Sequence, residues 1–192
     1  GDLLTAYAAT QPDKTAVIDD RTGGDVRTLT YAELEARANQ LVWALVDLGV
    51  RPGDKIVWCG QNSTGIVEVM NAARKIGATA VPLNYRLSDE EAAYVVDHCD
   101  ATTVYVDAEF ASTFERIRAE IPKVTNVVVF DGEAPGGMLS IDPLVAAAST
   151  DVWERPEIDE GGATMIYTSG TTGKPKGAFR RNPADPRQGA AL

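Results

Sequence analysis

At 192 residues, 44% of them hydrophobic and 24% charged, the chain has the make-up of a globular protein with a real core and the size of one domain or of a piece of a larger one. Eighteen Lys and Arg against 28 Asp and Glu leave a formal charge of -10, which repels phosphate backbones and argues against nucleic acid as a partner. The apolar runs, such as Val127 to Phe130, are far too short for a transmembrane segment, and the amino end GDLLTAYAATQPDK has neither a basic leader nor a long apolar stretch, so a cytoplasmic protein is expected.

In chain order, Thr15 to Asp19 and Thr28 to Thr30 flank a polar, glycine-containing stretch and read as two short strands of a hairpin. Thr30 and Glu33 have capping-box spacing, and Leu29 and Leu34 can staple across them, which predicts a helix start. Leu34, Ala38, Leu41, Leu45 and Leu48 then recur at helical spacing, and Gly49 can supply the left-handed residue that ends the helix. Lys55 to Cys59 reads as a strand, followed by Asn62 or Ser63 as the cap of a helix through Ile76 whose buried face takes in Ile66, Met70 and Ala73. Gly77 closes it. Thr79 to Pro82 is a short strand, and Ser88 with Glu91 forms a second capping box that opens a helix to about Cys99.

Thr103 to Asp107 is a strand, and Phe110, Phe114, Ile117 and Ile121 mark a third amphipathic helix that stops before Pro122. In the next strand, Asn126 to Asp131, four apolar residues follow one another without alternation, as in a strand covered on both faces. Strands of this kind alternating with helices predict an α/β fold with an open, mainly parallel sheet and right-handed crossover helices. A loop at 133–137 and a short helix at 141–148 complete a subdomain expected over residues 1–150. Residues 151–162, with Pro156 and the acidic Glu157, Asp159 and Glu160, read as a linker, and 163–192 as a strand, a loop and its continuation.

Cys59 and Cys99 sit in apolar contexts and read as reduced core thiols rather than a CxxC pair. His98, near a helix end, reads as a structural cap. Asp97, His98, Cys99 and Asp100 are consecutive, so on a helix they diverge and make no zinc site. Trp43 and Trp58 read as core, and Arg180 and Arg181 as a solvated pair.

The chemically informative segment follows the strand Ala163 to Tyr167. In TSGTTGKPKG, Thr168 to Gly177, the glycines Gly170, Gly173 and Gly177 permit positive φ and close backbone approach, so successive NH groups can converge on an anion. Thr168, Ser169, Thr171 and Thr172 add hydroxyl donors, and Lys174 and Lys176 add positive charge, with Pro175 between them discouraging a helix. The helix-backed ATP loop GxxxxGK[ST] fails here, because Thr168 stands where its first glycine belongs and Pro175 where its Ser or Thr belongs. Composition alone suits a solvated surface loop. The order argues otherwise, since about eight specified residues would fall in sequence by chance roughly once in a billion starts.

YTSGTTGKPKG, Tyr167 to Gly177, resembles in full the phosphate-binding signature of the adenylate-forming ligases, and of the fatty-acid and related acyl-CoA synthetases among them. The likeness extends to LTYAELEARANQLVWAL from Leu29, GVRPGDKIVWCGQNS from Gly49, and the run from Gly77 through PLNYRLSDEE to the DHCDA at Asp97. The resemblance implies an amino-terminal part of such an enzyme. In the whole protein a carboxylic acid, expected to be fatty acyl, would react with ATP to give an acyl-adenylate and pyrophosphate, and coenzyme A would then take the acyl group as a thioester. It further implies that Thr168, Ser169, Gly170, Thr171, Thr172, Gly173, Lys174 and Lys176 hold the β- and γ-phosphates, with Lys176 offsetting charge on the leaving pyrophosphate. Mg²⁺ is implied too, its ligands expected after Leu192. The isolated chain is expected to be inactive and to self-associate through surface meant for the missing part. Two alternatives stay open: a ligase serving a carrier protein, and a non-catalytic nucleotide-binding or interaction module.

Overall fold

A computed structural model of the chain describes residues 2–21, 24–156, 163–168 and 175–181. It opens with a helix that hydropathy patterning does not announce, α1 (Leu3–Thr10), in which Leu4 alone is buried, so no apolar stripe marks it. Its start is fixed by Asp2, whose carboxylate accepts from the Thr5 amide at 3.0 Å. The expected hairpin follows as an antiparallel ribbon of β1 (Thr15–Asp19) and β2 (Arg27–Thr30). The reciprocal capping box at Thr30 and Glu33 is present, and starts α2 (Tyr31–Asp47), whose Leu34, Ala38, Leu41 and Leu45 are buried. Gly49 takes φ +96°, as its place after the helix requires.

The remaining elements are β3 (Lys55–Cys59), α3 (Thr64–Ile76), β4 (Thr79–Leu83), α4 (Asp89–His98), β5 (Thr103–Asp107), α5 (Ala111–Arg116), β6 (Asn126–Phe130), β7 (Leu139–Ser140), α6 (Ile141–Ala147), β8 (Ala163–Thr168) and β9 (Lys176–Arg181). The main sheet has the order β7-β6-β5-β3-β4-β8-β9, parallel throughout except that β9 runs antiparallel to β8. Both faces are covered. Val57, Val81, Val104 and Val129 pack with Val95, Val96 and Phe114 of α4 and α5 on one face. Ile56, Ala80, Tyr105 and Val128 pack with α2, α3 and α6 on the other. Successive residues of each strand thus enter different cores, the physical reason these strands read as unbroken apolar runs.

Three local expectations are corrected. Met70 is 37% exposed, and the buried stripe of α3 runs instead through Ile66, Val69, Ala73 and Ile76. Ser63 is the cap residue of α3 by position but makes no side-chain capping bond. Asp19 of β1 does that work from a distance: Oδ2 accepts from the Thr64 amide at 2.8 Å and from the Thr64 hydroxyl at 3.0 Å. The helix expected around 110–121 is broken, with 3-10 turns at Ala108–Phe110 and Arg118–Glu120 flanking the six residues of α5. Phe114, Ile117 and Ile121 are nevertheless all buried, so the tighter turns still deliver the apolar spacing to the core.

The topology creates a crevice. From β3 the chain crosses to β4 through α3 on one face of the sheet, and from β5 it crosses the opposite way to β6 through α5 on the other, so the carboxyl ends of the adjacent β3 and β5 part at a topological switch point where α/β sheets bind ligands. The β1–β2 ribbon is fastened over the neighbouring ends of β5 and β6 by Arg21, which lies 3.2 Å from Asp107, 2.5 Å from Asp131 and 3.4 Å from Asp19. Arg27 adds a second bond to Asp131 at 2.9 Å.

Candidate active-site cleft

An open cleft of about 1270 Å³ lies at the carboxyl ends of β3, β4 and β8. Trp58 and Gly60 line it from β3, Asn84 and Tyr85 from the turn after β4, and Tyr167 and Thr168 from the end of β8, while Asp20 and Arg21 form a rim from the ribbon. Trp58 therefore lines the cleft as well as packing on the core, which a purely core reading missed. Trp43 is only half-buried, and its indole NH donates to the Asp151 carbonyl at 2.9 Å, tying α2 to the segment after α6.

Of the residues expected to hold phosphate, Thr168 closes β8 on the cleft wall and Lys176 opens β9; Ser169, Gly170, Thr171, Thr172, Gly173 and Lys174 lie outside the described residues. Thr168 and Lys176 are direct partners in the antiparallel register, so the two side chains share one face of the ribbon. Both are exposed. Pro175 lines the cleft beside them.

One rung below, Tyr167 pairs with Gly177. Gly177 is not among the glycines at positive φ, so its role differs from the one its sequence suggests. A Cβ there would stand 3.1 Å from Cζ of Tyr167, and the missing side chain lets the phenol ring lie across β9. The Tyr167 hydroxyl and Nδ1 of His98 share a 2.7 Å hydrogen bond. Burial first, then the neighbouring Cys99, Tyr94 and Asp100, push the Tyr167 phenol up to about 12, so it stays protonated at neutral pH. His98 is thus more than a helix-end charge, and its contact with a residue 69 positions away leaves no signal in local sequence.

The other tempting residues go elsewhere. Asp97 and Asp100 converge on Lys123 at 3.1 and 2.9 Å, while His98 faces Tyr167 and the Cys99 thiol donates to the Val96 carbonyl at 3.3 Å, so the four consecutive side chains share no common centre. Cys59 and Cys99 are buried and free of disulfide bonds. Burial pushes the Cys59 thiol up to about 12, with Asp107 adding to it, and burial pushes Cys99 up to about 11, so neither is a thiolate nucleophile at neutral pH. Arg180 is exposed and lies four positions along β9 from Lys176, roughly 13 Å from the loop at strand spacing. No described helix is long and apolar enough to cross a membrane.

This geometry agrees with known proteins. The chain is 35% identical over 153 residues to 3-hydroxybenzoate--CoA ligase of Aromatoleum sp. (strain CIB), covering 80% of this chain and 29% of the relative. It is 36% identical over 154 residues to a long-chain-fatty-acid--CoA ligase of Thermus thermophilus, covering 80% of this chain and 28% of that one. The fold superposes on the anthranilate CoA ligase AuaEII in complex with anthranoyl-AMP with a TM-score of 0.81 at 27% identity, covering 94% of this chain and 35% of that chain. For a Mycobacterium tuberculosis fatty acyl CoA synthetase the TM-score is 0.79 at 26% identity, over 93% of this chain and 33% of the other. The chain therefore spans about a third of the length of these proteins. The family described as AMP-binding enzyme matches residues 4–182, nearly the whole sequence, and the chain belongs to that family.

Proposed function

We propose that the whole protein is an AMP-forming acid–thiol ligase, which joins a carboxylic acid to ATP as an acyl-adenylate, releases pyrophosphate, and passes the acyl group to coenzyme A. The observation that carries this reading is the placement of TSGTTGKPKG: its two ends are paired as a ribbon, and that ribbon opens at the crevice between parallel strands.

In the adenylation step a carboxylate oxygen attacks the α-phosphorus and pyrophosphate leaves with the electron pair of the broken P–O bond. The residues of this chain serve the leaving group. Backbone NH groups and the hydroxyls of Thr168, Ser169, Thr171 and Thr172 hold the β- and γ-phosphates in line, and Gly170 and Gly173 let the backbone approach them closely. Lys176, projecting beside Thr168, and Lys174 offset the charge that grows as the bond breaks. Mg²⁺ would accompany the triphosphate and offset its charge; among the described residues no cluster of three or more His, Cys, Asp or Glu is arranged to hold a metal ion.

The relatives named above as ligases of hydroxybenzoate and of long-chain fatty acids both take carboxylic acids, which supports that substrate class; the fatty acyl reading within it draws on the second alone. The test is pyrophosphate exchange by the complete protein across a panel of fatty and aromatic acids. Lys176→Ala and Thr171→Ala should each lower it about 10- to 1,000-fold, by analogy with removal of a preorganised donor. Exchange at the wild-type rate in both variants overturns the assignment of the loop. Residues 1–192 alone should form no adenylate, because Lys176 and the loop supply one side of the reacting centre only.

A further inference from the structure

The hairpin that carries the phosphate loop is held from beneath by three aromatic rings. Tyr94 and His98 stand one turn apart on the same face of α4, with ring centroids 5.1 Å apart and planes inclined by 30°. His98 then meets Tyr167 edge-on, with centroids 5.8 Å apart and planes at 85°, and shares with its hydroxyl the 2.7 Å hydrogen bond. Tyr167 in turn covers Gly177 on the returning strand, so one ring touches both the strand that enters the loop and the strand that leaves it.

The support is itself anchored. α4 begins with a full capping box, in which the Glu91 amide donates to the Ser88 hydroxyl at 3.3 Å and the Ser88 amide to the Glu91 carboxylate at 2.9 Å. Arg116 holds Asp89 in its first turn at 2.6 Å. At the other end, Lys123 donates to the Asp97 carbonyl and to the Asp100 carboxylate, each at 2.9 Å. His98 therefore projects from a helix end whose position is fixed independently of the loop.

We propose that His98 is a positioning residue for ATP: through the Tyr167 hydroxyl it sets the height and tilt of the β8–β9 hairpin, and so the place at which the loop presents its donors to the triphosphate. The inference rests on the reading of the loop as the triphosphate site. It separates two functions of the ladder, since packing of the rings serves stability while the hydrogen bond between His98 and Tyr167 serves registration of the loop.

The experiment uses the complete protein and pyrophosphate exchange, with KM measured separately for ATP and for the carboxylic acid. Tyr167→Phe, which removes only the hydroxyl, and His98→Ala should each raise KM for ATP or lower kcat/KM for ATP about 3- to 30-fold, with KM for the acid changed less than about twofold. The double variant should be no worse than the more damaged single one, because both remove the same bond. His98→Asn, whose side-chain amide reaches the position of Nδ1, should recover most of the loss. Equal rises in both KM values, multiplied losses in the double variant, or no change in Tyr167→Phe would overturn the proposal. If His98→Ala does not fold, Tyr167→Phe and His98→Asn decide it. Lys176→Ala and Thr171→Ala serve as references: if they leave ATP use intact the loop reading falls, and if they impair it while Tyr167→Phe does not, only the role of His98 falls.

Discussion

Two antiparallel ribbons border the cleft, and they are fastened by different chemistry. The β1–β2 ribbon is clasped by Arg21 to Asp19, Asp107 and Asp131, and by Arg27 to Asp131, a cluster of opposite charges at the ends of β5 and β6. The β8–β9 ribbon rests on a phenol and an imidazole, with packing from Tyr94 and Met165 on the same face of the sheet. The difference follows from what each ribbon presents. If the segment between β8 and β9 holds a triphosphate, as proposed, a carboxylate at its foot would oppose the charge of that ligand, whereas a phenol that stays protonated does not. At the rim, the charges of Asp19, Asp107 and Asp131 are answered by arginine.

The sharpest way to break this comparison is to disturb the aromatic support by volume alone. Gly177→Val forces Cβ and two methyl groups into the space 3.1 Å from the Tyr167 ring and should displace the hairpin. A shift of that kind should cost about 100-fold in pyrophosphate exchange by the complete protein, with a far smaller change in its melting temperature. Loss of stability and exchange in proportion would mean that the ribbon is only a structural edge.

The ionic clasp should fail in the opposite manner. Arg21 is about one-third exposed, 32%, while Asp107 is 7% exposed, which places the clasp between a surface ion pair and a buried one. Arg21→Ala should therefore cost about 1–3 kcal/mol in urea unfolding. The loss should depend on pH with a defined sign. Burial pushes the Asp131 carboxyl up, but hydrogen bonds from Arg27 and Arg21 outweigh it and hold the group below its ordinary 3.8. Such a carboxylate stabilises the fold fully above 3.8, and that contribution is lost as the pH falls through its folded value. Asp107 moves the other way, raised by burial despite the Glu109 amide and Arg21, so it destabilises the fold above its folded value and that cost fades in acid. Without Arg21, Asp131 is depressed less and Asp107 raised more. The stability gap between wild type and Arg21→Ala should then narrow as the pH is lowered toward 3.8 and close as it falls on through the depressed folded value of Asp131. A constant gap would show that the arginine acts through packing.

Much of this frame was legible in the sequence, for a local reason. Capping boxes at Thr30 and Ser88, the turns at Gly49 and Gly77, and apolar strand runs are encoded within a few residues, and the folded chain shows them where they were expected. What was not legible acts across long separations. Asp19 caps a helix 45 residues away, His98 binds a tyrosine 69 residues away, and Arg21 reaches an aspartate 110 residues away. The stripe on α3 was misread because Met70 and Val69 differ by one position, about 100° of helical turn, and both are apolar; only the neighbouring elements decide which is covered. Of the candidate site, the motif pointed to the strand end at Thr168 and to Lys176, which the fold pairs across β8 and β9, while the supporting rings and the contribution of Trp58 depend on the order of strands in the sheet.

The smallest expected effect separates the two fastenings by salt. Screening acts on pairs with solvent access, so raising ionic strength from about 0.05 M to about 1 M, where the Debye length falls to roughly 3 Å, should reduce the stability difference between wild type and Arg21→Ala by a fraction of a kcal/mol. The corresponding difference for Tyr167→Phe should stay level, because the bond it removes joins a protonated phenol to an imidazole and draws little on long-range charge. The measurement is a pair of urea titrations at each salt concentration, compared through the variant differences so that general salt effects cancel. If both differences shrink alike, the contrast between a rim clasped by ion pairs and a β8–β9 ribbon resting on aromatic rings is lost.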